Sequence, residues 1–293
     1  MAEAALNAKE PDVVYHYTTM DTMTKIAQGA SIWATSISYL NDVSEGDHFL
    51  KLVRKRIPGY LVFHSVNESI FEDFLKEPDL MFSTFETRPF VVSFSQEADS
   101  LPQWRSYCPD GNGVAIGFRA DCLKRASIGP TGNSDAMQPS EPAPGSFFKK
   151  VDYVDSFDDG FIDSEIDWSI SCAKLLAKTA PSSTPDIPPA AYFKLLIERA
   201  ACFIKHPSFS NENEYRLLVD AVFSKRHYLG FRSTRSTLRP YIPVTIPRRH
   251  SHYANSTEPI MSAPCRALGF HRPCRGRPYC KHEPLPRRSL FLL

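Results

Sequence analysis

The sequence predicts an α+β protein, with small mixed or antiparallel sheets flanked by helices. Three observations carry this. Short runs rich in β-branched and aromatic residues recur at 13–18 (VVYHYT), 90–95 (FVVSFS), 114–118 (VAIGF) and 215–222 (YRLLVDAV), and they read as strands. Helical segments fall between them without the regular βαβ alternation of a doubly wound sheet. The chain has 293 residues, 42% hydrophobic and 12% aromatic, enough to build a core without metal or disulfide staples.

The elements follow in order. After the first strand, Met20, Met23, Ile26 and Ala27 share one helical face, with Thr19 placed to cap it and Gly29 to stop it. Residues 31–35 (SIWAT) form a second short strand, and 39–42 (YLND) a loop. A helix is expected from about Ser44 to Arg56, ending before Pro58, and another from Asn67 to Lys76. Residues 100–107 read as helix with Pro102 in the first turn, and 110–113 (DGNG) as a tight turn. The strand at 114–118 is expected as a hairpin or near-neighbour partner of 90–95. Residues 128–146, rich in Gly, Pro and Ser, read as a surface loop, and 148–154 as a strand. Helices near 165–178 and 189–203 follow, joined by a Pro-rich link. The prolines of 238–246 (LRPYIPVTI) predict an edge strand.

One domain is expected over residues 11–247. From 248 to 293 the periodicity is lost and Arg, Pro, His and Cys accumulate. This tail reads as irregular, either unfolded or translated in a shifted frame. Cys265, Cys274, Cys280, His271 and His282 lie in it, but no Cys pair has the spacing structural zinc sites favour, so no metal is expected.

Lys plus Arg total 34 and Asp plus Glu 33, so no global field draws the chain to nucleic acid or an anionic membrane. No apolar stretch approaches the roughly 20 residues of a membrane span, and Met1 to Lys9 lacks a secretory core. The isolated Cys108, Cys122, Cys172 and Cys202 read as reduced thiols. A cytoplasmic protein with no membrane partner is therefore expected. There is no phosphate-binding Gly-Lys-Ser/Thr loop and no G-x-S-x-G setting around Ser93 or Ser95.

Four segments stand out when taken together: Tyr15-His16-Tyr17-Thr18 with Trp33; Tyr39-Leu40-Asn41-Asp42 with Glu45; Ser93-Phe94-Ser95 followed by Trp104, Tyr107 and Gly113 to Phe118; and Lys205-His206-Pro207 followed by Glu212-Asn213-Glu214-Tyr215-Arg216. In this order they resemble the bacterial domain-of-unknown-function family 2971, over about Val13 to Ile246. The closing strand and helix that the resemblance implies after Ile246 are not recognisable.

The His-bearing first strand, the middle Ser strand and the late E-x-E step are also similar to the three-part signature of ADP-ribosyltransferases. That likeness implies a split sheet and NAD as substrate, with a nucleic-acid or protein acceptor and a role in stress response or phage defence. It implies Glu214 as catalytic carboxylate assisted by Glu212, and His16, Tyr17, Thr18, Trp33, Tyr39, Asn41, Ser95 and Arg216 as NAD-binding residues. If 214–220 is a strand, Arg216 shares a face with Glu214 and can pair with it or hold pyrophosphate. Plainer readings stand beside these. His16 can be a core histidine, Asn41-Asp42 with Glu45 a turn and helix cap, and Glu214 with Arg216 a structural ion pair. The alternative function is a non-catalytic nucleotide or nucleic-acid sensing module.

Overall fold

Alternation along the strands sorts their side chains onto two faces. The computed structural model describes residues 10–29, 31–40, 44–64, 66–76, 89–108, 111–128, 146–155, 158–179, 187–220, 229–233, 237–246 and 289–291. The strands are β1 (Val13–Thr19), β2 (Ser31–Ser36), β3 (Pro89–Ser95), β4 (Gly113–Arg119), β5 (Ser127–Ile128), β6 (Ser146–Lys150), β7 (Asp152–Tyr153), β8 (Ile204–Lys205), β9 (Glu214–Asp220), β10 (Gly230–Ser233), β11 (Leu238–Thr245) and β12 (Ser289–Phe291). The helices are α1 (Met20–Gly29), α2 (Ser44–His64), α3 (Glu72–Leu75), α4 (Leu101–Tyr107), α5 (Ala120–Leu123), α6 (Asp159–Thr179) and α7 (Pro189–Ala201). The α+β class holds, and the main sheet is mostly antiparallel.

Even-numbered Phe90, Val92 and Phe94 of β3 and odd-numbered Tyr215, Leu217 and Val219 of β9 join one core with Val14, Ile32, Ile116 and Val244. The intervening Val91 and Leu218 pack on the other face, against Ile37, Cys202 and Phe203. By the two-residue period, Ser93, Ser95, Glu214 and Arg216 belong to this second face. A separate helical core gathers Phe49, Val53, Ile57 and Tyr60 of α2, Phe71, Phe74 of α3, Ile166 and Ile170 of α6, and Phe193 and Ile197 of α7.

Strand β3 sets the geometry of everything that follows. One of its edges is paired along its whole length with β9, from Pro89↔Asp220 to Ser95↔Glu214. The opposite edge is shared: β2 takes its start at Thr35↔Val91 and Ser36↔Phe90, and β1 takes its end at Tyr15↔Ser95. Between these, Val92, Ser93 and Phe94 have no strand partner on that side among the described residues. The sheet therefore forks. One branch continues from β1 to β4 and β12, the other from β2 to β11 and β10.

Several expectations are corrected. α2 runs through Pro58 to His64, because Ile57 and Tyr60 on either side are buried in the helical core and their burial outweighs the lost hydrogen bond. The Asn67-capped helix is a 3-10 turn over Glu68–Phe71 leading into α3, with Asn67 Oδ1 accepting from the Ser69 amide at 3.0 Å. The strand expected at 148–154 breaks into β6 and β7, since the chain switches partner from β9 to β8: Val151 N donates to Glu214 O and Asp152 N to Phe203 O. β4 pairs fully with β1 and lies one strand away from β3. β11 is internal, with β2 on one flank and β10 and β5 on the other. Its prolines are tolerated because each lacks a ladder partner on one flank: Pro240 precedes the β2 pairing, which starts at Tyr241, and Pro243 lies between the β10 pairing, which ends at Tyr241, and the β5 pairing, which starts at Val244.

Asn41-Asp42, most of the 128–146 loop and nearly all of 248–293, with its cysteines and histidines, lie outside the described residues. Within that tail, Ser289–Phe291 is a strand parallel to β4, in register Leu290↔Ile116.

Candidate functional site

A cleft of about 240 Å³ opens in the fork. Its walls come from β1 (His16, Tyr17, Thr18), α1 (Lys25), β2 (Trp33, Thr35) and the 3-10 turn that ends at Tyr39, with Val92 and Ser93 of β3 behind. Arg216 of β9, Arg232 of β10 and Arg239 of β11 complete it, and among the described residues no acidic side chain lines it. A smaller recess of about 40 Å³ adjoins it and shares His16, Tyr17, Ser93 and Tyr107; it is lined further by Ser95, Glu212 and Glu214. Every candidate residue within the described chain thus lines one or other of these spaces. Asn41 falls outside the described residues.

His16 is fixed by the fork itself. Its Nδ1 lies 2.9 Å from Ser93 O, in the stretch of β3 left without a strand partner. A carbonyl only accepts, so Nδ1 carries the proton. Burial lowers the His16 pKa; the hydrogen bond to Ser93 opposes this, and the positive charge of Arg232 adds to it. The neutral ring keeps Nε2 as an acceptor.

Tyr17 is committed to structure through its hydroxyl, which donates to Glu97 O at 2.6 Å and accepts from the Ser100 amide at 2.9 Å. Burial, chiefly, pushes its pKa up to about 12, so it does not titrate in the physiological range. Its ring packs edge-on against Trp104 at 4.9 Å between centroids. Ser95 is engaged in the same way, donating to Glu212 O at 2.8 Å and accepting from the Glu97 amide at 3.2 Å. It brackets the turn that carries the acidic pair. Trp33 stacks on Tyr241 at 4.3 Å, so at most one of its faces is offered to the cleft.

The E-x-E step is not a simple strand. Glu212 ends a 3-10 turn, and Asn213 adopts a left-handed conformation, φ 43° and ψ 52°, one that Asn tolerates better than most residues. This turn lets both carboxylates reach one cation: Lys205 Nζ is 2.7 Å from Glu212 Oε2 and 3.1 Å from Glu214 Oε2. Lys205 is 2% exposed and also sits over the Phe209 ring at 4.7 Å, so it faces the acidic pair and not solvent phosphate. Glu214 is gripped further by Arg216, whose Nε and Nη2 donate at 2.6 and 3.0 Å, while Arg216 Nη1 donates to Cys202 O at 2.7 Å. Burial pushes the Glu214 pKa up, but the Arg216 and Lys205 charges outweigh it and hold the carboxyl at about 2. Glu214 is therefore ionised throughout the physiological range. The pairing of Arg216 with Glu214, expected from their shared face, is present.

Three lining cations, Lys25, Arg232 and Arg239, were not singled out in the sequence. β10 is a four-residue strand with no recognisable alternation, and nothing in GFRS or LRPYIPVT shows that the two strands pair beside His16.

No curated protein matches this chain, and neither does any solved structure. A family model matches residues 103–217, a span that takes in the Trp104–Phe118 segment and the Glu212-to-Arg216 step. Over that span the chain is similar to the family described as a protein of unknown function, DUF2971.

Proposed function

We propose that the fork cleft binds NAD and that the acidic pair beside it promotes loss of nicotinamide, with ADP-ribose passed to a nucleic-acid or protein acceptor. The reading is carried by one observation. His16, Tyr17, Ser93 and Tyr107 are common walls of a cationic cleft and of the recess that holds Glu212 and Glu214. A nucleotide seated among the arginines would place its reactive end toward carboxylates. The cleft, about 240 Å³, is smaller than the ~300–1,000 Å³ of sites that enclose a whole drug-sized ligand, so a dinucleotide would overhang it.

The chemistry suits the groups present. The C1′–N bond breaks with its electron pair going to the nicotinamide nitrogen, which neutralises the pyridinium and leaves an oxocarbenium-like ribose. A permanently ionised Glu214 supplies fixed negative charge for that cation without moving a proton. Glu212, with a side chain 23% exposed, is the carboxylate a ligand can reach. It would accept the proton released when an acceptor O–H or N–H attacks C1′. Neutral His16 offers Nε2 to a ribose hydroxyl.

The test is nicotinamide release from NAD by the full chain, with and without DNA, RNA or cell extract. Glu212→Gln is expected to lower the rate by roughly 10²–10⁴-fold, the usual worth of a general base, while the protein stays folded. Unchanged release in that variant, or none by folded wild type under any condition, refutes the enzymatic reading. A second reading, a non-catalytic nucleotide sensor, is favoured by the saturation of Glu214, which receives three hydrogen bonds from Arg216 and Lys205. It expects NAD binding without turnover.

A further inference from the structure

The β10–β11 ladder places two arginines directly opposite each other. Arg232 and Arg239 are cross-strand partners in the register, and like charges in that relation repel. Among the described residues neither forms an ion pair and no carboxylate lines the cleft that both share; Tyr241 favours the Arg232 charge, by less than Arg239 disfavours it. Arg232 is the more constrained of the two. Its Nη2 donates to Thr35 Oγ1 at 3.0 Å and its guanidinium lies 5.9 Å from the centre of the Trp33 ring. Its Nε is buried with no hydrogen-bond partner. Burial, and after it the charge of Arg239, lowers the Arg232 pKa. A fold does not gain stability from a desolvated guanidinium facing its like with a donor left over. An anion between them would satisfy both.

We propose that Arg232 and Arg239 form a phosphate-binding subsite in the fork cleft, built to take the diphosphate of a nucleotide. Arg is the side chain suited to this task, because its planar fork of donors matches phosphate oxygens bidentately. Lys25, at the same cleft but already paired with Asp21 at 2.6 Å and over half exposed, supplies a more distant charge. The Trp33–Tyr241 stack stiffens the platform on which Arg232 lies, and Gly230 makes that stack possible. A Cβ on Gly230 would come within 2.5 Å of Tyr241 Cζ. A small nucleotide fits the enclosed volume better than a polymer does. The proposal deepens the NAD reading by assigning its phosphate contacts, and it is separable from any claim about catalysis.

Calorimetric titration of the full chain with ADP, inorganic pyrophosphate and adenosine tests it, on wild type, Arg232→Gln and Arg239→Gln. ADP and pyrophosphate are expected to bind and adenosine not to. Each substitution is expected to weaken both anions by roughly tenfold or more, the worth of one charge-assisted contact. Because each removes one of two opposed charges, thermal unfolding without ligand is expected to be unchanged or raised, which a purely structural arginine would not give. Should Arg232→Gln fail to fold, Arg239→Gln decides alone. Undiminished anion binding in the folded variants overturns the proposal. So does binding of a single-stranded oligonucleotide but of neither ADP nor pyrophosphate. If NAD is not cleaved while ADP binding still needs both arginines, the enzymatic reading fails and the subsite stands. If NAD is cleaved with the same KM in both variants, the subsite fails and the enzymatic reading stands.

Discussion

Glu214→Gln is expected to destabilise the protein by about 3–5 kcal/mol, the usual cost of removing one partner from a buried ion pair. Glu214, Lys205 and Arg216 are 3%, 2% and 1% exposed, so solvent can do little to rescue the two cations left behind. Lys205 would keep Glu212 and Arg216 would keep Cys202 O, but the charge between them would be gone. Urea unfolding followed by fluorescence or circular dichroism measures this directly. The same triad sets a pH dependence with a definite sign. The folded pKa of Glu214, about 2, lies below its ordinary value of 4.5. The stability it contributes is present in full above about pH 4.5 and is lost as pH falls toward 2. The urea midpoint of wild type should therefore decline below pH 4.5, and Glu214→Gln should flatten that decline. An equal decline in both proteins would mean that other carboxylates govern the acid limb. A destabilised Glu214→Gln cannot separate a catalytic loss from an unfolded fraction, and for this reason the kinetic test rests on Glu212.

Gly113→Ala is expected to cost about 3 kcal/mol, at the upper end of ordinary overpacking. A Cβ at Gly113 would lie 2.0 Å from Cys108 Cβ, 2.3 Å from its Sγ and 3.1 Å from its Cα. The obstacle includes backbone, at the residue that closes α4. Cys108 is buried with Tyr17, Trp104 and Ala115, and its Sγ hydrogen-bonds to Thr18 O at 3.4 Å. A shift there moves the carboxyl end of α4, which carries Tyr107 into both the cleft and the recess. On the proposed reading of the cleft, nucleotide affinity should fall along with stability. Cys108→Ala keeps the offending Cβ and should give no relief in the double variant, whereas Cys108→Gly should restore part of the loss. Equal rescue by the two would show that the sulfur, and not the Cβ, is the obstacle.

The local elements were largely legible in the sequence. Strands β1, β3, β4 and β9 are dense in β-branched and aromatic residues, and α1 carries its own cap, with the Thr22 amide donating to Thr19 Oγ1 at 3.3 Å. The i, i+2 relation of Glu214 and Arg216 likewise follows from strand period alone. What failed locally failed where packing overrides propensity: Pro58 inside α2, and the 3-10 turn after Asn67.

The sequence by itself thus determined the α+β class, the main strands and which polar residues belong to one face. Only the tertiary structure decided that β1 and β2 share one edge of β3 and leave Val92–Phe94 open between them, because strand pairing is a non-local choice that no run of residues specifies. The same choice brought Arg232 opposite Arg239 from strands without a local signature, and it turned Lys205 inward onto both carboxylates through the left-handed Asn213. Side-chain type and strand period are local properties, and which edges meet is settled by the whole chain at once.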